Sequence, residues 1–185
     1  MAKRIFDVIV SLFSILILLP VMAIIAVAVR RSSPGPALFV QPRVGKGERS
    51  FNCYKFRTMA IGAPVAGSHD VSESWITPTG RWLRSTKLDE LPQLFNVLRG
   101  DMSLVGPRPC LPNQEEVVRA RRARNVFTVR PGITGPAQLS SIDMSSPVML
   151  AKADGEYISS QSFFLDLKII LATIAGRGSG DAIRR

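Results

Sequence analysis

The sequence predicts an α+β chain: a kinked, re-entrant membrane helix, then a small, mostly helical domain with one short β-hairpin and amphipathic interfacial helices. Three observations predict it. Residues 8–29 contain no charge. Two short runs rich in aromatic and β-branched residues flank a Gly-containing turn at 45–48. Leu91, Leu94, Phe95 and Leu98 recur at the spacing of a helix that buries one face.

The uncharged run comes first. Its 22 residues would cover about 33 Å as a helix, the thickness of a bilayer's hydrocarbon core. A mean hydropathy of +0.17 beside a net charge of +10 is unusual for a soluble protein of 185 residues. The run is too long for a signal-peptide core, and it ends in Arg30 and Arg31 where small residues would mark a cleavage site. Lys3 and Arg4 precede it, so positive charge flanks both ends and sets no direction for a span. Pro20, near the middle, removes the helix bond to Leu16 and bends the axis. A bent helix that enters and leaves by one face keeps both positive ends on the same side. The expected division is a membrane-embedded re-entrant helix over residues 1–31 and one further domain over 32–185.

The helix exits through a turn-rich segment at 32–36. Residues 37–40 and 51–57 then read as paired strands, and the pair carries Arg43, Lys46, Arg49, Lys55 and Arg57. The stretch 60–78 is a Gly-, Ser-, Pro- and Thr-rich loop, and its His69 reads as solvent-facing because no metal-ligand spacing surrounds it. Cys53 and Cys110 form no metal motif and fit a reduced compartment.

Next comes the most distinctive stretch, residues 88–109, where Asp89 and Glu90 precede the apolar helix and a Gly-Pro-Arg-Pro loop follows it. Pro92 is tolerated only in the first turn, so the helix is expected to start near the two acids, and Gly100 stands where a C-terminal cap belongs. An acid in the first turn is an ordinary capping choice. The same helix start also attracts phosphate. Taken alone, the pair leaves capping and catalysis open.

Residues 113–126 form a strongly basic helix with Arg119, Arg121, Arg122 and Arg124, either solvated or resting on anionic headgroups. Residues 129–138 form a loop whose glycines let backbone N–H groups approach a ligand and whose Arg130 can meet a phosphate. An amphipathic helix from Ser162 to Gly176 closes the core or lies on the bilayer.

Together, Lys3 to Asp7, the apolar run with Pro20, residues 54–59 (Tyr-Lys-Phe-Arg-Thr-Met), residues 88–109, residues 129–135 and residues 162–169 resemble the bacterial sugar transferase family of monotopic phosphoglycosyl transferases. The likeness runs in order along nearly the whole chain. It implies transfer of a phosphosugar from a UDP-sugar to undecaprenyl (polyprenyl) phosphate with release of UMP. That is the first membrane step in building O-antigen, capsule, exopolysaccharide or glycoprotein glycans. It also implies the bacterial inner membrane, with the catalytic domain on the cytoplasmic face, and the length resembles the family's minimal form.

By the same resemblance Asp89 is the nucleophile, forming an aspartyl-phosphosugar intermediate, and Glu90 helps Asp89 hold Mg²⁺ or handles a proton. Carboxylates beside phosphates suit that metal. Arg84, five residues before Asp89, and Arg108 correspond to arginines near the phosphates. Arg130 is a further phosphate-binding candidate, and Asp154 a further site residue before the closing helix. Implied partners are the UDP-sugar, undecaprenyl phosphate and membrane lipids, with no nucleic acid; a homodimer stays open.

Two departures stand out. Leu19 precedes the membrane proline where the family often has Ser, and residues 135–144 differ from the common pattern in a way that bears on sugar choice. A lipid-binding or nucleic-acid-binding scaffold would account for the basic charge but not for two acids placed between Arg84 and Arg108.

Overall fold

A computed structural model describes residues 2–64 and 72–176; His69 lies outside them. Helix α1, Ala2–Ser32, runs unbroken through Pro20. It is long and apolar enough to cross a membrane. Its two faces differ. Asp7, Ser11, Ile15, Met22, Ile25 and Val29 are buried along one side, whereas Phe13, Leu16, Ile17, Leu19 and Ile24 are each more than half exposed on the other.

The buried side is packed on the remainder of the chain along its whole length. Ile15 belongs to a core with Cys53, Leu94, Val97, Met102, Val105, Tyr157 and Ile169, and Met22, Ile25 and Val29 join Phe56 and Leu83 in a second. Polar contacts fasten both ends. Arg4 donates to the carbonyls of Val97 (2.6 Å) and Leu98 (3.0 Å). Past the other end, Arg57 donates to the carbonyls of Pro34 and of Ser33 (2.8 Å).

Strands β1 (Leu38–Val44) and β2 (Ser50–Phe56) pair antiparallel, with Leu38 opposite Phe56 and Val44 opposite Ser50. This is the expected hairpin, with its first strand running on to Val44 where it was expected to end at Val40. Helix α2, Pro78–Thr86, starts with Thr77, whose hydroxyl accepts from the Gly80 amide at 3.0 Å. It ends at Lys87 in the left-handed region, φ 58°.

A single 3-10 turn, Leu88–Glu90, follows, and α3 spans Gln93–Arg99 behind Pro92. The α-helix therefore starts later than expected. Neither acid occupies its cap position, which is Pro92 and has no side-chain cap. Leu94 and Val97 enter the core while Phe95 is 39 % exposed. The buried face of α3 is made by Gln93, Leu94, Asn96 and Val97, which leaves Phe95 off the stripe that periodicity gave it. Gly100, φ 91°, ends the helix as anticipated.

Strand β3 (Ser103–Val105) pairs parallel with β4 (Gly132–Thr134), a contact the sequence did not suggest. It forms because Gly106, Gly132 and Gly135 have no Cβ. A Cβ on Gly132 would lie 2.1 Å from the Gly106 nitrogen, and one on Gly135 2.3 Å from the Gly106 oxygen. The glycines thus serve the approach of two loops to each other. The Gly132 amide donates to the Pro107 carbonyl (2.9 Å) and the Gly106 amide to that of Thr134 (2.9 Å), rather than to a ligand.

Helix α4 spans Glu115–Arg122, α5 Pro136–Leu139, α6 Pro147–Ser160 and α7 Phe163–Ile174. Val117 of α4 and Leu150 of α6 meet Val44, Cys110 and Ala137 in a third core. Helix α7 buries Asp166 and Ile169 and exposes Phe163, Phe164, Leu171 and Ile174. It closes the core with one face and presents an apolar surface with the other.

Candidate active site

The 3-10 turn between α2 and α3 carries the two acids into the protein. Asp89 is 3 % and Glu90 8 % exposed. Burying carboxylates is costly unless cations and hydrogen bonds compensate. For Glu90 they do: its Oε1 accepts from Lys55 Nζ at 3.1 Å and from Arg108 Nη2 at 2.7 Å. Lys55 comes from β2 and Arg108 from the loop after β3, so Glu90 ties hairpin, turn and loop together.

Asp89 faces a different environment. It lines a cavity of about 450 Å³, within the size range of small-molecule sites. Arg43, Lys55, Arg57 and Arg84 line the same cavity together with apolar residues of β1 and the 59–64 segment. Four cations and one acid on its wall suit a ligand with several negative charges.

Arg84 is aimed by its neighbours. Its Nε donates to the Thr58 hydroxyl at 3.0 Å, while its Nη1 is buried and has no hydrogen-bond partner. A guanidinium nitrogen left unpaired in the interior loses the solvation that water would give it, so it favours an incoming anion. Gly80 sets this geometry. A Cβ there would stand 1.9 Å from the Thr58 carbonyl oxygen, so only glycine lets α2 approach closely enough for Thr77 to bond Thr58 (N to O, 3.1 Å) and for Arg84 to reach its hydroxyl.

Arg108 is held from behind. Arg121 of α4 donates from Nη1 to the Arg108 carbonyl (2.7 Å) and from Nε to Asp154 Oδ2 on α6 (2.9 Å). Arg121 is 1 % and Asp154 0 % exposed. Burial pushes the Asp154 carboxyl above its usual range, opposed by the Arg121 charge. Asp154 therefore lies beneath the Arg108 loop and reaches it only through Arg121.

The Arg130 backbone packs on Gly106, two residues before Arg108. Arg130 Nε donates to the Gly100 carbonyl at 2.7 Å, at the opposite end of α3 from the two acids. Arg119 and Arg122 of α4 and Arg124 just past its end are exposed, and Arg122 pairs with Glu48 at 2.6 Å.

A family profile described as bacterial sugar transferase matches residues 1–177. The chain belongs to that family. As a bacterial sugar transferase it is 41 % identical to an undecaprenyl-phosphate glucose phosphotransferase of Komagataeibacter xylinus, over 93 % of this chain and 35 % of that protein. It is 39 % identical to a UDP-glucose:undecaprenyl-phosphate glucose-1-phosphate transferase of Caulobacter vibrioides, covering 93 % and 68 %. An uncharacterized sugar transferase of Bacillus subtilis, EpsL, is 41 % identical, covering 93 % and 85 %. The chain thus spans about a third of the first of these relatives and most of the other two.

Asp89, Glu90, Arg84 and Arg108 are brought together in this sugar transferase, while Asp154 supports them from below. Sequence reasoning missed Arg121 as a buried partner. The signal was there: it lies four residues after Val117, so both fall on the inward face of α4. It also missed that Lys55 pairs with Glu90.

No cluster of three or more His, Cys, Asp or Glu exists among the described residues. The adjacent carboxylates still fit Mg²⁺. That ion keeps most of its shell as water and phosphate oxygens and needs only one or two protein carboxylates.

Proposed function

We propose that this chain transfers a phosphosugar from a UDP-sugar to undecaprenyl phosphate, giving undecaprenyl-diphosphate-sugar and UMP through a covalent aspartyl-phosphosugar intermediate. The relatives' names support the reaction. The observation that carries the mechanism is Asp89 on the wall of a basic cavity beside the unpaired Arg84 Nη1.

In the first displacement an Asp89 carboxylate oxygen attacks the phosphorus that bears the sugar. A P–O bond to Asp89 forms, the P–O bond to UMP breaks, and the electron pair leaves on the UMP phosphate. In the second, an oxygen of the lipid phosphate attacks the same phosphorus, and the pair returns to Asp89. Two displacements let donor and acceptor use one site in turn. Arg84 binds and orients the diphosphate by its free N–H groups. Glu90, paired with both Lys55 and Arg108, holds Lys55 on the cavity wall, where its charge offsets that which grows on the leaving phosphate. Asp89 and Glu90 would hold Mg²⁺, which supplies charge neutralisation to the phosphates when bound.

The attachment of α1 supports the re-entrant reading. Arg4 at its start and Ser33 and Pro34 just past its end are all bonded to one domain. A straight span would put its ends on opposite faces of the bilayer and require that domain to reach both. The exposed apolar faces of α1 and α7, joined by the edge-to-face contact of Phe6 and Phe163 at 5.1 Å, support burial in one leaflet. Both ends and the catalytic domain would then lie on the cytoplasmic face of the inner membrane.

The test is UMP release from a panel of UDP-sugars with undecaprenyl phosphate and Mg²⁺. Release that survives Asp89→Asn overturns the nucleophile assignment, and no release with any sugar overturns the activity.

A further inference from the structure

The reaction just proposed needs a place for the acceptor's hydrocarbon as well as for its phosphate. The part of the first cavity where Arg43, Lys55, Arg57, Arg84 and Asp89 stand is a poor host for a polyprenyl chain, because apolar groups gain nothing beside charges that must stay solvated or paired. A second cavity adjoins the first. About 430 Å³ in volume, it is lined by Leu38, Tyr54, Pro92, Phe95, Leu98 and Arg99. Leu38 lines both cavities, and Pro92 follows Asp89 by three residues.

The character of this second cavity is different. Four of its six lining residues are wholly apolar, and the two polar ones are occupied with each other: Arg99 Nη1 donates to the Tyr54 hydroxyl at 2.7 Å, with the guanidinium 5.8 Å from the ring centre. Leu38 is 44 % and Phe95 39 % exposed. One exposed apolar side chain would be ordinary. Here Leu38, Pro92, Phe95 and Leu98 share one trough that meets the first cavity at Leu38 and runs along α3, about 10 Å at 1.5 Å per residue.

We propose that this trough binds the first isoprene units of the lipid acceptor, with the lipid phosphate at Asp89 and the chain leaving over Leu38 and along Pro92, Phe95 and Leu98. The inference rests on the phosphosugar-transfer reading of the site. A hydrophobic chain with a single anionic head matches the juxtaposition: a basic cavity and an apolar trough divided by one leucine. Phe95 and Leu38 then select acceptors by chain, not by sugar.

The test uses the full chain in lipid nanodiscs with the active UDP-sugar. The burst of UMP in the absence of acceptor reads the first displacement of the unaltered protein, and its absence overturns the reading of the site on which the trough depends. With the burst present, KM is measured for undecaprenyl phosphate and for a two-isoprene phosphate in the unaltered chain, Phe95→Ser, Leu38→Ser and Phe95→Leu. The trough predicts that each serine variant raises KM for the long acceptor about tenfold and erases the preference for long over short, and that Phe95→Leu restores it. Equal KM values across the variants overturn it. So does a change in oligomeric state on Phe95→Ser with KM unmoved, which would make the trough an interface between copies.

Discussion

Arg121 holds Arg108 by its backbone: the buried Nη1 donates to the Arg108 carbonyl at 2.7 Å while Nε is fixed on Asp154. The side chain of Arg108 is thereby aimed at Glu90, 2.7 Å away. Three arginine and carboxylate links thus run from α6 to the proposed nucleophile's neighbour. Arg121→Met is expected to cost about 3–5 kcal/mol of stability, because it strands Asp154 as a lone buried charge. Chemical denaturation of Arg121→Met, Asp154→Asn and the double variant checks this. The double variant should be more stable than the sum of the single losses predicts.

Arg84→Lys is expected to keep the fold and raise KM for the UDP-sugar by about tenfold or more. Lysine carries the charge but lacks the planar group that bonds Thr58 through Nε and leaves Nη1 unpartnered in the cavity wall. Steady-state kinetics at saturating acceptor measures it.

Gly80→Ala is expected to lower stability by about 1–3 kcal/mol and to reduce activity more than its stability loss explains. The new methyl would displace Thr58 and with it the anchor of Arg84. Thermal unfolding compared with UMP release separates the two effects. Ser at the same position should behave alike.

Chelation with EDTA is expected to abolish turnover, and added Mg²⁺ to restore it. Full activity in EDTA would remove the metal from the mechanism.

Burial and, next, the hydrogen bond to Asp166 at 2.6 Å push the Tyr157 hydroxyl far above its ordinary range. The folded pKa is raised, so this contribution is complete below about pH 10 and is lost as pH climbs further, where the unfolded chain releases the proton first. Unfolding free energy followed from pH 8 upward should fall above that point, and Tyr157→Phe should flatten the decline.

Much of the fold could be read from the sequence, for identifiable reasons. Helix α1 was legible because 22 uncharged residues admit few alternatives, and the hairpin because its strands are local neighbours with a turn between them. The parallel pair β3 and β4 was not, since it joins three-residue strands across a long separation and depends on backbone approach at Gly106 and Gly132. Asp89, Glu90, Arg84 and Arg108 were legible as a motif. What the motif did not contain was the surroundings: Glu90 is bound to Lys55 and Arg108, and Asp89 lines the cavity. Arg121 was hidden among surface arginines. The bond from Arg130 Nε to the Gly100 carbonyl at the end of α3 was not legible in its loop pattern either.

The two arginine clamps on α1 also set an order of events. Arg4 finds its acceptors 93 and 94 residues later in the chain, at Val97 and Leu98. The amino-terminal half of the helix is thus made long before the carbonyls that hold it, whereas Arg57 follows the other end by only 23 or 24 residues. During synthesis the partner of the helix's tail is therefore available first, and the acceptors of Arg4 exist only once residues 97 and 98 have been made.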